Sequence, residues 1–169
     1  MTKLVLMVGN IGTGKTSTTN RLMDAADILE NRNVIVVSVD CLATILNNGH
    51  YGPDIWTDRH WQLYAVAKQH IVREALARDF DVIVDGSHMS KANRKAYIDI
   101  AKEFDDIIVD GYLHTYPDGL ARRITNPKSE HTSIEKWTEV YKIFEDMYEE
   151  PTLDEGIDNI TIVKGINNE

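Results

Sequence analysis

The 169-residue sequence predicts an α/β domain whose parallel sheet is covered by helices on both faces. Three observations predict it. Short runs rich in branched aliphatics alternate along the chain with longer segments of helical periodicity. The first run, Leu4–Val8, opens directly into Gly9-Asn10-Ile11-Gly12-Thr13-Gly14-Lys15-Thr16, a full match to G-x-x-x-x-G-K-[ST]. The second and third runs each deliver an aspartate, Asp40 and Asp85, at the carboxyl edge where ligands of such sheets bind.

Four of the five residues Leu4–Val8 are branched aliphatics, the pattern of a buried parallel strand. A helix is expected from about Gly14 to Glu30, with Leu22, Met23, Ala26 and Leu29 on one face. Val34–Val39 reads as the second strand, with a helical turn or two through Leu46. Asn47–Asp54 is turn-rich. A long helix follows over about Thr57–Arg78, aligning Trp61, Tyr64, Ala65, Lys68, Val72, Ala75 and Leu76. Phe80–Asp85 is the third strand, and Ser90 is a fitting N-cap for a helix to Phe104. Ile107–Leu113 is the fourth strand, and Pro117–Thr125 a short helix ending in a polar loop through His131. Thr132-x-x-Glu135 carries a capping-box signature for a last helix with Ile134, Trp137, Val140, Tyr141, Phe144 and Met147 on one face. Ile160–Val163 is the final strand, and Gly165–Glu169 is expected to fray.

Leu4–Ser17 is chemically the most informative stretch. Its glycines let the backbone curl so that successive N–H groups point at phosphate oxygens, where a Cβ would obstruct. Lys15 supplies a charge to β/γ-phosphates, and the Thr16 hydroxyl is a hard oxygen suited to Mg²⁺. Ser17 opens the helix whose N-terminal dipole faces the same anion. A plain glycine turn with Lys15 in solvent is the alternative. Asp40 can accept a proton from an attacking hydroxyl, or can simply cap a helix. Asp85 ends DVIVD, a Walker-B-like run, and can hold Mg²⁺, meet an acceptor, or cap a loop. Arg122, Arg123 and Lys128 form the densest basic cluster, suited to charge on a transferring phosphoryl group or to a solvated helix end. Arg59, His60 and Arg94 are weaker acceptor-side candidates. The histidines show no zinc-ligand spacing. Glu145–Asp158, with seven acids and no bases, reads as a solvated helix end and loop.

Composition bounds the rest. A net charge of -9, from 27 acids and 18 bases, disfavours non-specific nucleic-acid binding through clustered cations without excluding a local basic groove. Cys41 is the single cysteine, in keeping with a reducing cytosol. The first apolar run is too short for a signal peptide, and no run approaches a membrane span. One cytoplasmic domain over 1–169 is the expectation.

Nearly the whole chain resembles the small P-loop kinases related to the kinase domain of bacteriophage polynucleotide 5′-hydroxyl kinases. The resemblance is carried by GNIGTGKT, Asp40, VIVDGSHMSKANRKAYIDIAKEF and LARRITNPK…SIEKW…VYKIFEDMYEEP, in the family's order and spacing. It implies a three-layer P-loop NTPase fold with strand order 2-3-1-4-5, a helical lid at about 118–133, an ATP·Mg²⁺ donor and transfer of the γ-phosphate to a hydroxyl. Lys15 and Thr16 match the phosphate and metal ligands, Asp40 the general base, Asp85 the second-strand carboxylate and Arg123 a lid arginine. Ala43 stands where those kinases carry an arginine that grips the acceptor's phosphate, and Val39 is not basic. The expected acceptor is a nucleic-acid 5′ end, and the alternative is a small hydroxyl compound such as a nucleoside, sugar or nucleotide-sugar. A nucleotide-gated binding module with slow ATPase activity is the reading from another class.

Overall fold

The computed structural model describes residues 1–28, 33–49, 57–126 and 133–164. Five strands form one parallel sheet: β1 (Thr2–Val8), β2 (Val34–Ser38), β3 (Asp81–Asp85), β4 (Ile107–His114) and β5 (Asn159–Val163). Their order is β2-β3-β1-β4-β5, as the resemblance implied. Among the described residues six α-helices accompany them: α1 (Lys15–Ile28), α2 (Val39–Leu46), α3 (Asp58–Leu76), α4 (Lys91–Ala101), α5 (Gly119–Thr125) and α6 (Ile134–Asp146).

Strand alternation explains how one sheet acquires two covered faces. In β1, Leu4 and Leu6 point to the face packed by Val72, Ala75 and Leu76 of α3 and by Tyr97, Ile98 and Ala101 of α4. Val5 and Met7 point the other way, with Ile83 of β3, and meet Leu22 and Met23 of α1. The central strands are therefore apolar on both sides and read as continuous hydrophobic runs. The order also sets up the chemistry. β1 lies between β3 and β4, so the loop after Val8 faces the end of β3, and the register Ser38↔Asp85 brings the end of β2 alongside. Three stretches separated in sequence thus share one carboxyl edge.

Most boundaries fall within two or three residues of the sequence reading, and three local expectations change. The cap of α6 is Ser133, whose hydroxyl accepts from the Lys136 N–H at 3.1 Å, so the capping signature is displaced by one residue. Thr132, Lys128, His131, His50, Leu29 and Gly165–Glu169 lie outside the described residues. The apolar stripe of α6 buries only Trp137, and Ile134 and Met147 are exposed. The acidic run after α6 is not merely solvated. Glu149 accepts from the Lys91 N–H at 2.7 Å, Asp158 from the Val109 N–H at 2.8 Å, and Glu155 holds Arg94. The run's carboxylates satisfy backbone and guanidinium donors that the sheet and α4 leave open.

Arg94 is wholly buried, with Nε and Nη2 donating to Glu155 at 2.7 and 2.8 Å and Nη1 to the carbonyls of His88 and Met89 at 3.0 and 3.2 Å. A paired guanidinium in the core is tolerated, whereas an unpaired one costs several kcal/mol. Glu155→Gln should therefore destabilise the protein by about 3 kcal/mol, read as a lower urea midpoint, and by more than Arg94→Met, which removes the charge that needs a partner.

Candidate functional site

The carboxyl edge of the sheet opens into a cleft of about 1080 Å³. Its floor is the glycine loop. Gly9, Gly12 and Gly14 have φ of 148°, 72° and 90°, values that bend the loop around its own N–H groups. Thr13 ties the loop to itself, its hydroxyl donating to the Asn10 carbonyl at 2.7 Å. Asn10 ties it to α6, donating from Nδ2 to the Tyr141 carbonyl at 2.9 Å. Lys15 folds back over the loop and donates to the Asn10 carbonyl at 2.6 Å. Ile11, Gly12, Gly14, Lys15, Thr16 and Ser17 line the cleft. Gly9, Asn10 and Thr13 form the buried frame behind them.

Thr16 and Asp85 meet at the mouth of this loop, the hydroxyl donating to Asp85 Oδ2 at 3.0 Å. Two hard oxygens from β3 and α1 at that separation suit a divalent cation that also takes phosphate and water oxygens. Among the described residues there is no cluster of three or more His, Cys, Asp or Glu that would hold a metal by itself. Asp40 lies in the first turn of α2 and lines the same cleft as Lys15.

Both arginines of the basic cluster reach the cleft, but differently. Arg122 stacks over the Tyr116 ring at 5.1 Å, and its Nη1 would lie 3.8 Å from a Cβ placed on Gly14. Arg123 stacks over the Trp137 ring at 5.2 Å, and its buried Nε has no partner among the described residues. Arg122 is thus the one that overhangs the glycine loop.

Three acceptor-side candidates are not brought to the cleft. Arg94 points into the core, for the reason given above. Arg59 is exposed in the first turn of α3 and does not line the cavity. His60 turns back on its own helix, its Nδ1 accepting from the Thr57 N–H at 3.1 Å.

The cleft residue that helical spacing conceals is Lys68. It shares the α3 stripe with Tyr64 and Val72, and the run reads as core. The stripe in fact leaves the core and becomes a cleft wall: Trp61, 42% exposed, Ala65 and Lys68 all line the cavity. A lysine inside an otherwise apolar stripe is the signal. Its side chain is 9% exposed, and Nζ stands 5.5 Å from the Tyr97 ring centroid. Burial pulls its pKa from 10.5 down to about 8, against the opposing pull of Asp40 and Asp85. The two buried histidines are neutral, His88 pulled down to about 3 and His114 to about 4, in both cases mainly by burial. His88 Nδ1 donates to the Met7 carbonyl at 2.7 Å, which fixes its tautomer.

A glycine-loop cradle with a facing lysine, a Thr–Asp oxygen pair and overhanging arginines defines a P-loop nucleotide-binding domain of the kinase type. The chain belongs to the AAA domain family, which it matches over residues 4–151. No curated protein matches it. Among solved structures it is similar, at 17% identity and a TM-score of 0.56, to a chain of the Pnkp1/Rnl/Hen1 complex, covering 78% of this chain and 41% of that one. The chain therefore spans less than half the length of that protein. It is similar to Chaetomium thermophilum Kti12 in complex with ADP-AlF3 at 15% identity and a TM-score of 0.69, covering 98% and 91%. It is also similar to a sugar kinase from Janibacter sp. HTCC2649 at 15% identity and a TM-score of 0.60, covering 97% and 86%. Among the described residues no helix is long and apolar enough to cross a membrane.

The depressed lysine has a consequence for stability. At neutral pH both folded and unfolded chains carry the Lys68 proton, so the native state bears the cost of a buried charge. Between about pH 8 and 10.5 the native state loses that proton first, and stability rises with pH. Lys68→Met should accordingly stabilise the protein at pH 7 by about 1–3 kcal/mol, with the gain shrinking toward pH 10 in chemical unfolding curves.

Proposed function

We propose that the protein is an ATP-dependent kinase that moves the γ-phosphate to an acceptor hydroxyl, and that the acceptor is the 5′-OH of a polynucleotide. The observation that carries the first part is that Asp40 lines the same cleft as the glycine loop and Lys15. Ser38, the N-cap residue of α2, makes no side-chain capping bond, and Asp40 lies inside the first turn with its carboxylate in the cleft.

In this reading the loop N–H groups and Lys15 bind the β- and γ-phosphates. Thr16 and Asp85 hold Mg²⁺, which supplies charge neutralisation on the phosphate oxygens. Asp40 takes the proton of the attacking hydroxyl as its oxygen bonds to the γ-phosphorus, and the bond to the β–γ bridging oxygen breaks with its electron pair on ADP. Arg122 overhangs the transferring group, and Arg123 shares that role from its stack on Trp137. Residues 118–133 act as the lid of a single domain, with α5 as its described part.

The polynucleotide acceptor is supported by the resemblance over nearly the whole chain, by the likeness to the Pnkp1/Rnl/Hen1 chain, and by a roomy cleft whose walls include Trp61 and Phe144, faces on which a base can stack. Ala43, fully buried and without charge, favours the second reading, a small-molecule acceptor, as does the likeness to the sugar kinase.

Asp40→Asn tests the reaction. It keeps the shape of the side chain and loses the base, so phosphotransfer should fall by roughly 10²- to 10⁴-fold while ATP·Mg²⁺ affinity, measured by calorimetry, stays within a few-fold. Loss of ATP binding together with transfer would assign Asp40 to the donor site and remove the main support for an acceptor hydroxyl there.

A panel of 5′-OH oligonucleotides, nucleosides and sugars with labelled ATP tests the acceptor. Oligonucleotide affinity should fall with log[salt] at a slope of about 0.7 per phosphate contacted, and a slope of about one to three contacts is expected given the sparse cations of the cleft. Turnover of a sugar or nucleoside with no oligonucleotide binding at low salt would transfer the assignment to the small-molecule class.

A further inference from the structure

The Lys68 side chain is almost wholly buried, and among the described residues no hydrogen bond or ion pair engages its Nζ. Nζ stands 5.5 Å from the Tyr97 ring centroid, and the residue lines the cleft, where its three donors can meet a ligand. Two carboxylates act on the ammonium through space, Asp40 from α2 and Asp85 from the end of β3, and both line the same cleft. A gap in the cleft therefore separates a donor from acceptors.

The chemistry of that gap is selective. A phosphate or carboxylate only accepts, and would meet two like charges. An ammonium only donates, and would meet Lys68. A hydroxyl does both at one oxygen, accepting from Lys68 and donating to Asp40 without adding charge. We propose that Lys68 is a second catalytic ligand of the attacking hydroxyl, donating to its oxygen while Asp40 accepts its proton. The proposal rests on the kinase reading above and specifies how that site grips its nucleophile. As the O–H proton passes to Asp40, the O–P bond forms and the electron pair of the breaking bond leaves on ADP. Lys68 keeps its protons throughout and stabilises the negative charge that grows on the nucleophilic oxygen.

The groups facing Lys68 are Asp40, Asp85, Tyr97 of α4 and His88 after β3. Tyr97 is pushed up to about 12 by burial and His88 lies near 3, so neither changes charge across the working range. Lys68, near 8, does.

The experiment compares the wild type with Lys68→Met and Lys68→Arg over about pH 6–10. It reads phosphotransfer to whichever hydroxyl compound of the panel is turned over, and ATP hydrolysis without acceptor, in which water is the attacking hydroxyl. Wild-type kcat should decline above about pH 8, and Lys68→Met should lower kcat by about 10²-fold and abolish that decline, with the KM for ATP·Mg²⁺ within a few-fold. Lys68→Arg should recover part of the rate and show no alkaline decline, because its charge persists. Thermal unfolding of each variant establishes that it is folded, and a purely structural role would move that midpoint without moving the alkaline limb.

A folded Lys68→Met protein with wild-type kcat and a wild-type limb would overturn the proposal while leaving the kinase reading in place. Hydrolysis with a Lys68-dependent limb but no transfer to any acceptor would overturn the kinase reading and leave Lys68 as the ligand of the attacking water. Absence of both turnovers in the wild type would overturn both.

Discussion

A cradle of backbone N–H groups can be built only where no side chain intrudes, and that constraint reaches beyond the phosphate loop. Gly12, at φ 72°, lies so close to α5 that a Cβ there would stand 1.9 Å from the Gly119 carbonyl oxygen. A Cβ on Gly119 would stand 2.4 Å from the Ile11 carbonyl in return. Two glycines more than a hundred residues apart are thus required by one contact. It seats the start of α5 on the loop and so carries Arg122, one turn further on, over Gly14. Asn10 makes the parallel link to α6 through the Tyr141 carbonyl. The cradle, the arginines and the apolar face of α6 are consequently parts of one assembly, positioned from the end of β1.

Charge in the cleft follows a division of labour between elements. Lys15, Arg122 and Arg123 line the cleft together with Asp40 and Asp85, which stand just after and at the ends of β2 and β3, and Lys68 enters from α3. His88 and His114 pack directly behind the loop and are kept neutral by burial, aided by the nearby lysines. A protonated imidazole there would add charge to a region already crowded with cations, and the hydrogen bond from His88 to the Met7 carbonyl holds the ring as a neutral spacer. Positive charge is thereby confined to side chains that can reach a phosphate or the attacking group.

The sheet and the phosphate loop were legible in the sequence because their signals are local. Leu4–Val8 and Val82–Val84 are runs that only a doubly covered strand accommodates, Val34–Ser38 is an apolar edge run whose Val36 stays exposed, and Gly9–Thr16 carries its chemistry in consecutive residues. What was not legible depends on partners distant in sequence. Arg94 is helical by pattern and cationic by type, and only the return of Glu155 to α4 makes it a core residue. The acidic run was read as solvated because its donors, the N–H groups of Lys91 and Val109, lie on elements far upstream. Lys68 was aligned with the apolar side of α3 by periodicity, which locates the face of a helix but not the point at which that face passes from core to cleft.

That transition from core to cleft also explains why the fold leaves the acceptor open. The lower part of α3 packs on β2 and β3 through Val72, Ala75 and Leu76, while its upper part, Trp61, Ala65 and Lys68, lines the cavity. Across from it α6 turns Trp137, Val140, Ile143 and Phe144 toward the same space, with Trp137 alone fully covered. Apolar side chains left partly exposed on two facing helices are costly unless something apolar comes to lie between them. The donor's phosphates cannot serve, since the glycine loop holds them at the sheet edge. The walls therefore match the ring or base of a bound molecule, and in the kinase reading proposed above it is α3 and α6, rather than the sheet, that would govern acceptor choice.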